Sequence, residues 1–260
     1  MQVHNKKTPA HNPQACVLLI GNELLSGQTQ DKNLSYIAQQ LLTLGIRVAE
    51  CRVIPDIEGI IIQTLNECRE KFDYVLTTGG IGPTHDDITT HCVAKAFNVP
   101  LERLPEISNK LKERMGDRFN DASLKMAEIP QGAKLIENPV TAAPGFIMDN
   151  VYVMAGIPAI MRAMLESFLP TLKNGKPFHR SSIFCDLPES HIAPGLHQIQ
   201  ETYSMLEIGS YPHWEFSEYR LNLIVRGTDQ ELVHKATYEI EALIVSLHGT
   251  ILNPKIMQTL

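Results

Sequence analysis

Over residues 14–97, short apolar runs alternate with segments of helical period, and this alternation constrains the fold more than any other feature of the chain. Cys16, Val17, Leu18, Leu19 and Ile20 form a wholly apolar run, the pattern of a strand covered on both faces. Leu34, Ile37, Ala38, Leu41 and Leu42 then fall at helical spacing, which predicts a helix over 31–44, with Gly45 where a left-handed C-terminal cap belongs. A second strand over 46–54 ends at Pro55, and Ile57, Ile60, Ile61, Thr64, Leu65 and Cys68 mark the buried face of the next helix. A third strand, 73–78, runs straight into glycines. Asp86 or Asp87 is expected to open the following helix, whose apolar face carries Ile88, Cys92, Val93, Ala96 and Phe97. Such a run predicts an α/β fold: a mainly parallel sheet, right-handed crossovers and helices on both faces.

The periodicity continues less regularly. It predicts a helix over 105–116 with a polar outer face, a strand near 133–136, hairpin strands around 146–148 and 151–154, and a helix from Pro158 to about 168. Linker-like residues at 170–177 separate a domain over 14–172 from a small α+β unit over 178–252, preceded by a flexible tail at 1–13. In the small unit, strand, helix, two hairpin strands turning near 215–218, and a long helix follow one another. Its Tyr211, Pro212, His213 and Trp214 either pack a core, the better default, or cover a neighbouring subunit's site.

Charge and cysteine usage narrow the class. A formal charge of -6 gives no basic footprint, so no nucleic-acid partner is expected. The five cysteines include no Cys-x-x-Cys pair, and a reducing, cytoplasmic compartment fits them. No apolar run is long enough for a membrane span or a signal peptide.

In an open parallel sheet, ligands sit beyond the carboxyl ends of the strands. Four loops are predicted at that edge: Gly21, Asn22 and Glu23; Pro55 and Asp56; residues 79–87; and Ala155, Gly156, Ile157 and Pro158. In the third, Gly79, Gly80 and Gly82 flank Ile81 and let a phosphate approach the backbone. The next helix presents its positive end there, and Thr84 adds a hydroxyl. The carboxylates of Asp86 and Asp87 would repel that anion unless a divalent cation such as Mg²⁺, Mn²⁺ or Co²⁺ intervened. One of the two acids doubles as a candidate N-cap, and Asp31 is better placed as a helix cap than as a ligand. Glu23 fits a site acid and a solvated loop acid equally well, and His85 is the one histidine placed in the site. There is no nucleophile elbow, Walker lysine or His-Glu-x-x-His motif.

Residues 20–27 (IGNELLSG) and 77–89 (TTGGIGPTHDDIT), with the segments at 129–133 and 138–146, resemble the competence/damage-inducible protein A family. More broadly, they resemble the molybdopterin-binding domain of molybdenum cofactor biosynthesis proteins. The resemblance is strong over 15–170 and weaker beyond. It implies a three-layer α/β/α fold and an oligomer whose strand-end loops bind a pterin or nucleotide phosphate. It also implies a metal-dependent pyrophosphatase acting on ADP-ribose or FAD, with Asp87 and Asp56 positioning the cation, Asp86 beside them, and residues 79–84 holding the diphosphate. His85 or Glu23 would accept a proton. The same resemblance leaves open adenylyl transfer or pterin handling, or a binding module without turnover. Many members carry Asp where this chain has Asn22, and glycine-rich sequence where it has Val140, Thr141, Ala142 and Ala143. The chain is expected to lack the amidohydrolase and FAD synthetase units of longer relatives.

Overall fold

A computed structural model describes residues 12–215, 218–252 and 256–259. The chain forms two compact units that divide between Gly175 and Lys176.

The first unit begins β1 (Gln14–Ile20), α1 (Asn22–Leu25), α2 (Leu34–Thr43), β2 (Arg47–Ile54), α3 (Glu58–Lys71), β3 (Tyr74–Thr78) and α4 (Thr89–Ala96). It continues through β4 (Leu101–Arg103), α5 (Pro105–Met115), 3₁₀ turns at Gly116–Arg118 and Asp121–Ala127, and β5 (Glu128–Pro130). β6 (Lys134–Ile136), β7 (Gly145–Met148), β8 (Val151–Met154) and α6 (Pro158–Phe168) complete it. The six-stranded sheet has the order β2-β1-β3-β8-β7-β6. β2, β1, β3 and β8 are mutually parallel, β7 alone is reversed, and β6, antiparallel to β7, again runs with the others, so the mainly parallel sheet is present.

β1 shows why the sequence alternates as it does. Cys16, Leu18 and Ile20 point to one face and pack with Ile61, Leu65 and Cys68 of α3 and Val93 of α4. Ala15, Val17 and Leu19 point to the other and pack with Ile37 and Leu41 of α2 and Met161 and Leu165 of α6. With a side-chain period of two, only a strand buried on both faces needs an unbroken apolar run. Burying each aliphatic side chain stabilises the fold by about 1.5–3 kcal/mol. Gly45 caps α2 at φ 68°, and Cys68 and Cys92 are buried free thiols.

The second unit contains β9 (His179–Cys185), α7 (Glu189–Thr202), β10 (Glu207–Glu215), β11 (Glu218–Gly227), α8 (Gln230–Ser246) and β12 (Ile256–Thr259). Its antiparallel sheet has the order β10-β11-β9-β12, and Ile183, Leu221, Leu223 and Val225 meet Ile192, Leu196, Val233 and Ile240 in its core. Strand β12 carries this unit past residue 252. The expected hairpin is present, although its turn at 216–217 lies outside the described residues. Tyr211, Pro212 and His213 are exposed on the edge strand β10 rather than packed in a core, and the Trp214 side chain lies outside what is described. The tail expected at 1–13 falls mostly on residues that are not described. Among the described residues, no helix is long and apolar enough to cross a membrane.

A candidate anion-binding cavity at the strand ends

The chain steps from β1 to β2 on one side and then to β3 on the other, so the sheet reverses direction between β1 and β3. At such a reversal the crossover connections diverge and leave a crevice at the carboxyl edge. The four expected loops meet there. Gly21 follows β1, its N–H donating to Ile54 O at 3.1 Å; Gly79 follows β3, its N–H donating to Met154 O at 3.1 Å. Buried Asn33 reaches the loop after β8, with Nδ2 donating to Gly156 O at 2.8 Å. Together they border a cavity of about 910 Å³, within the range of small-molecule sites.

Two glycines of the third loop are imposed by geometry. Gly79 has φ 104°, and a Cβ there would lie 2.1 Å from the Ile20 carbonyl oxygen. Gly80 has φ 70°, and its Cβ would lie 2.1 Å from Thr89 Oγ1. Both are in the left-handed region that L side chains avoid. The resulting turn leaves donors over: among the described residues, no hydrogen bond uses the N–H groups of Gly80, Ile81 or Gly82. Three successive unused N–H groups beside a cavity form a concavity for an anion.

The acids behave differently from the expectation. Neither Asp86 nor Asp87 caps α4, which starts at Thr89 after Ile88 without a side-chain cap. Both carboxylates turn back onto Thr84. Asp87 Oδ2 accepts from Thr84 N at 2.9 Å and from Thr84 Oγ1 at 2.6 Å, while Asp86 Oδ1 lies 2.5 Å from the same hydroxyl. Lys125 Nζ holds the loop from outside through the Thr84 carbonyl. The Thr84 hydroxyl holds the Asp86 carboxyl below the ordinary carboxylate range. The first N–H of α4 is also occupied, donating from Thr89 to Gly80 O at 2.9 Å. Asp31 does act as a cap, accepting from Asn33 N and Leu34 N at 3.1 Å each.

Gly21, Glu23, Asp56, Gly79, Gly80, Ile81, Gly82, Asp86, Asp87, Gly156 and Pro158 all line the cavity; Asn22, Thr84 and His85 do not. Asn22 opens α1, and its N–H donates to Asp56 Oδ2 at 2.9 Å, so Asp56 ties the β1 and β2 loops together. The His85 side chain is 99% exposed and lies 3.9 Å from Asp86, outside the cavity lining. Among the described residues, no three His, Cys, Asp or Glu side chains converge as a metal cluster, so Asp56 does not join Asp86 and Asp87 in one ligand set.

The opposite wall was not evident from sequence. Arg114 of α5, Arg118 of the 3₁₀ turn after it, Met115 and Met126 line it, together with Asn138 and Thr141 of the turn at 138–143. Asn138 knits that turn: Nδ2 donates to Thr141 Oγ1 at 2.5 Å and to Ala143 O at 2.7 Å, and Oδ1 accepts from Val140 N at 3.0 Å and Thr141 N at 3.2 Å. Arg114 Nη2 donates to Val140 O at 3.1 Å, joining α5 to it. The only linear signal was two arginines four apart at the end of a polar helix.

Comparison with known proteins agrees with this geometry. Residues 16–174 match the family model for a probable molybdopterin binding domain, and residues 177–248 match that for the middle domain of FAD synthase. A protein of Archaeoglobus fulgidus is 34% identical over 228 residues, 88% of this chain and 96% of that one. A CinA-like protein of Syntrophus aciditrophicus is 35% identical over 224 residues, covering 81% of this chain but only 53% of the longer relative. The crystal structure of CinA, a protein of unknown function from Thermoplasma acidophilum, superposes with a TM-score of 0.58 at 32% identity, over 61% of this chain and 97% of that one. On the match of well over half its length to the domain model, and on relatives aligned along most of it, the chain belongs to the CinA family of molybdopterin-binding-domain proteins.

Proposed function

We propose that the cavity binds a nucleotide diphosphate and that the protein hydrolyses its phosphate linkage with the help of a divalent cation, ADP-ribose and FAD being the substrates of first choice. The observation that carries this reading is the set of unused N–H groups at Gly80, Ile81 and Gly82, beside the carboxylates of Asp86 and Asp87. A diphosphate placed on those amides meets negative charge from Asp56, Asp86, Asp87 and Glu23, which line the same cavity. A cation between the phosphates and these carboxylates makes such a ligand favourable there.

The residues fit a hard cation. Asp86 Oδ1 and Asp87 Oδ2 crowd one Thr84 hydroxyl, whose single proton serves one of them at a time. Mg²⁺, Mn²⁺ and Co²⁺ accept such oxygens and complete their shells with phosphate and water, so a third carboxylate is not required. When bound, the cation supplies charge neutralisation on the phosphates and polarises the phosphorus–oxygen bond. The loop amides orient the diphosphate, and Asp56 keeps the β1 and β2 loops in register through the Asn22 N–H. Glu23 is the carboxylate best placed on the cavity wall to take a proton from water as its oxygen joins one phosphorus and the P–O–P bridge breaks. His85, outside the cavity, has no part in that transfer.

The test is turnover of ADP-ribose, FAD and NAD⁺ by the purified chain with Mg²⁺, Mn²⁺, Co²⁺ or chelator, with Asp87→Ala as the control. Metal-dependent cleavage lost in a folded Asp87→Ala variant supports the reading. A second reading, binding of molybdopterin or its adenylylated form, is favoured by the family model over residues 16–174. Silence on every diphosphate together with calorimetric binding of the pterin would replace the first reading by the second.

A further inference from the structure

The proposed diphosphate site uses the wall of the cavity made by the strand-end loops, and the wall made by α5 carries the opposite charge. Arg114 and Arg118 both line it, with Leu111, Met115 and Met126 on the same wall. Two other arginines of this unit pair with carboxylates, Arg52 with Glu50 at 2.6 Å and Glu67 at 2.5 Å and Arg103 with Glu128 at 2.7 Å, while Arg69 and Arg162 lie over the Phe97 and Tyr36 rings. Among the described residues, no carboxylate lies within ion-pair distance of Arg114 or Arg118, although four carboxylates line the same cavity. Arg114 is held in place through Val140 O and keeps its remaining N–H donors. Two guanidinium groups that line one cavity, unpaired with any carboxylate and beside the apolar Leu111, Met115 and Met126, suit an anion joined to a flat or aliphatic body.

We infer that Arg114 and Arg118 form a second anion subsite, which takes a phosphate monoester carried by the same ligand whose diphosphate lies on Gly80–Gly82. The ligand class is therefore a nucleotide with three phosphorus groups, two in a bridge and one apart, the span between them lying along Leu111, Met115 and Met126. This rests on the diphosphate reading given above and goes beyond it by fixing the ligand's orientation and its third charge.

Matched ligand pairs test it, each pair containing a diphosphate and differing by one ribose phosphate: NAD⁺ with NADP⁺, and dephospho-coenzyme A with coenzyme A. Dissociation constants are measured by calorimetry with Mg²⁺ for the intact chain, an Arg114→Gln/Arg118→Gln variant, and Lys112→Gln, which removes a charge from the same helix outside the cavity. Charge-assisted contacts of this kind predict that the phosphorylated member of at least one pair binds about tenfold to a hundredfold tighter. The double variant should bring that ratio to about one while leaving the dissociation constant of the other member unchanged, and Lys112→Gln should preserve the ratio. Equal binding of both members in every pair, or equal weakening of both by the double variant, overturns the second subsite and leaves the diphosphate reading standing. Absence of binding by all four compounds to a folded chain overturns the second subsite, and if ADP-ribose and FAD are also neither bound nor cleaved the diphosphate reading falls with it.

Discussion

Replacing Gly79 by alanine separates conformational strain from steric approach, because a second glycine of the same unit shares its backbone class but not its surroundings. Gly132 has φ 84° and no atom within 4 Å of the point where a Cβ would stand, whereas at Gly79, with φ 104°, that point is 2.1 Å from the Ile20 carbonyl oxygen. Alanine at 132 should therefore cost only the positive-φ penalty, about 1–2 kcal/mol. At 79 the same penalty applies, and the loop must also withdraw by roughly 1 Å from the end of β1 to reach an ordinary contact distance, stretching the Gly79 N–H bond to Met154 O. Loss of that bond and of local packing adds about 1–3 kcal/mol, for a total of roughly 2–5 kcal/mol. Hydrogen exchange of the β1 and β3 amides reports the stability of this unit directly. The tryptophan is unsuitable, since the one such residue, Trp214, belongs to the second unit. Equal losses for Gly79→Ala and Gly132→Ala would refute the argument that close backbone approach dictates the glycine.

Ala142 sits at φ 70° without being glycine, so Ala142→Gly should raise stability, by about 0.5–1 kcal/mol after the entropic cost of glycine is subtracted; urea denaturation with an unchanged slope would read it, and a loss of stability would contradict it. Asn138→Ala removes four hydrogen bonds made by a buried side chain and should cost about 2–4 kcal/mol while weakening nucleotide binding through Thr141; a loss below about 1 kcal/mol would show the turn to be self-supporting. Because the Thr84 hydroxyl depresses the Asp86 pKa, the ionised form is the one the fold favours. That contribution is fully present above the ordinary value of 3.8 and is lost as pH falls through the depressed folded value. Thr84→Val should move the Asp86 carboxyl titration, followed by carbon NMR, upward, and an unmoved midpoint would remove the hydroxyl as its cause.

The sheet and its helices could be read because each buried element repeats a period the sequence displays. The apolar run at 16–20 has no exposed face to interrupt it, and Gly45 marks a helix end by its conformation alone. Positions that depend on tertiary partners were not legible. Asp86 and Asp87 precede a helix and carry the chemistry of a cap, yet Thr84 offers them two donors at shorter range. Strands β4 and β5, of three residues each, are too short to show alternation, and they pair across a span that linear pattern does not bridge. The four loops of the site were predictable because topology alone gathers the carboxyl ends of parallel strands. The facing wall was not, because Arg114 lies on a helix that reads as solvated and Arg118 in the turn beyond it, and only the tertiary fold brings both to the cavity.

The backbone tethers around the cavity bear on how fast a ligand comes and goes. Gly21 is fastened to the end of β2, Gly79 to the end of β8, and the loop after β8 to Asn33, so each loop of the rim is held by a neighbouring element. A rim linked in this way behaves as a hoop rather than as a set of doors: no single loop swings out without breaking its neighbour's bond. A ligand that enters it finds its amides already ordered and gives up little chain entropy on arrival. Its residence time is then governed by the bonds it makes with the rim, and improvements in affinity should appear as slower dissociation at a nearly constant association rate.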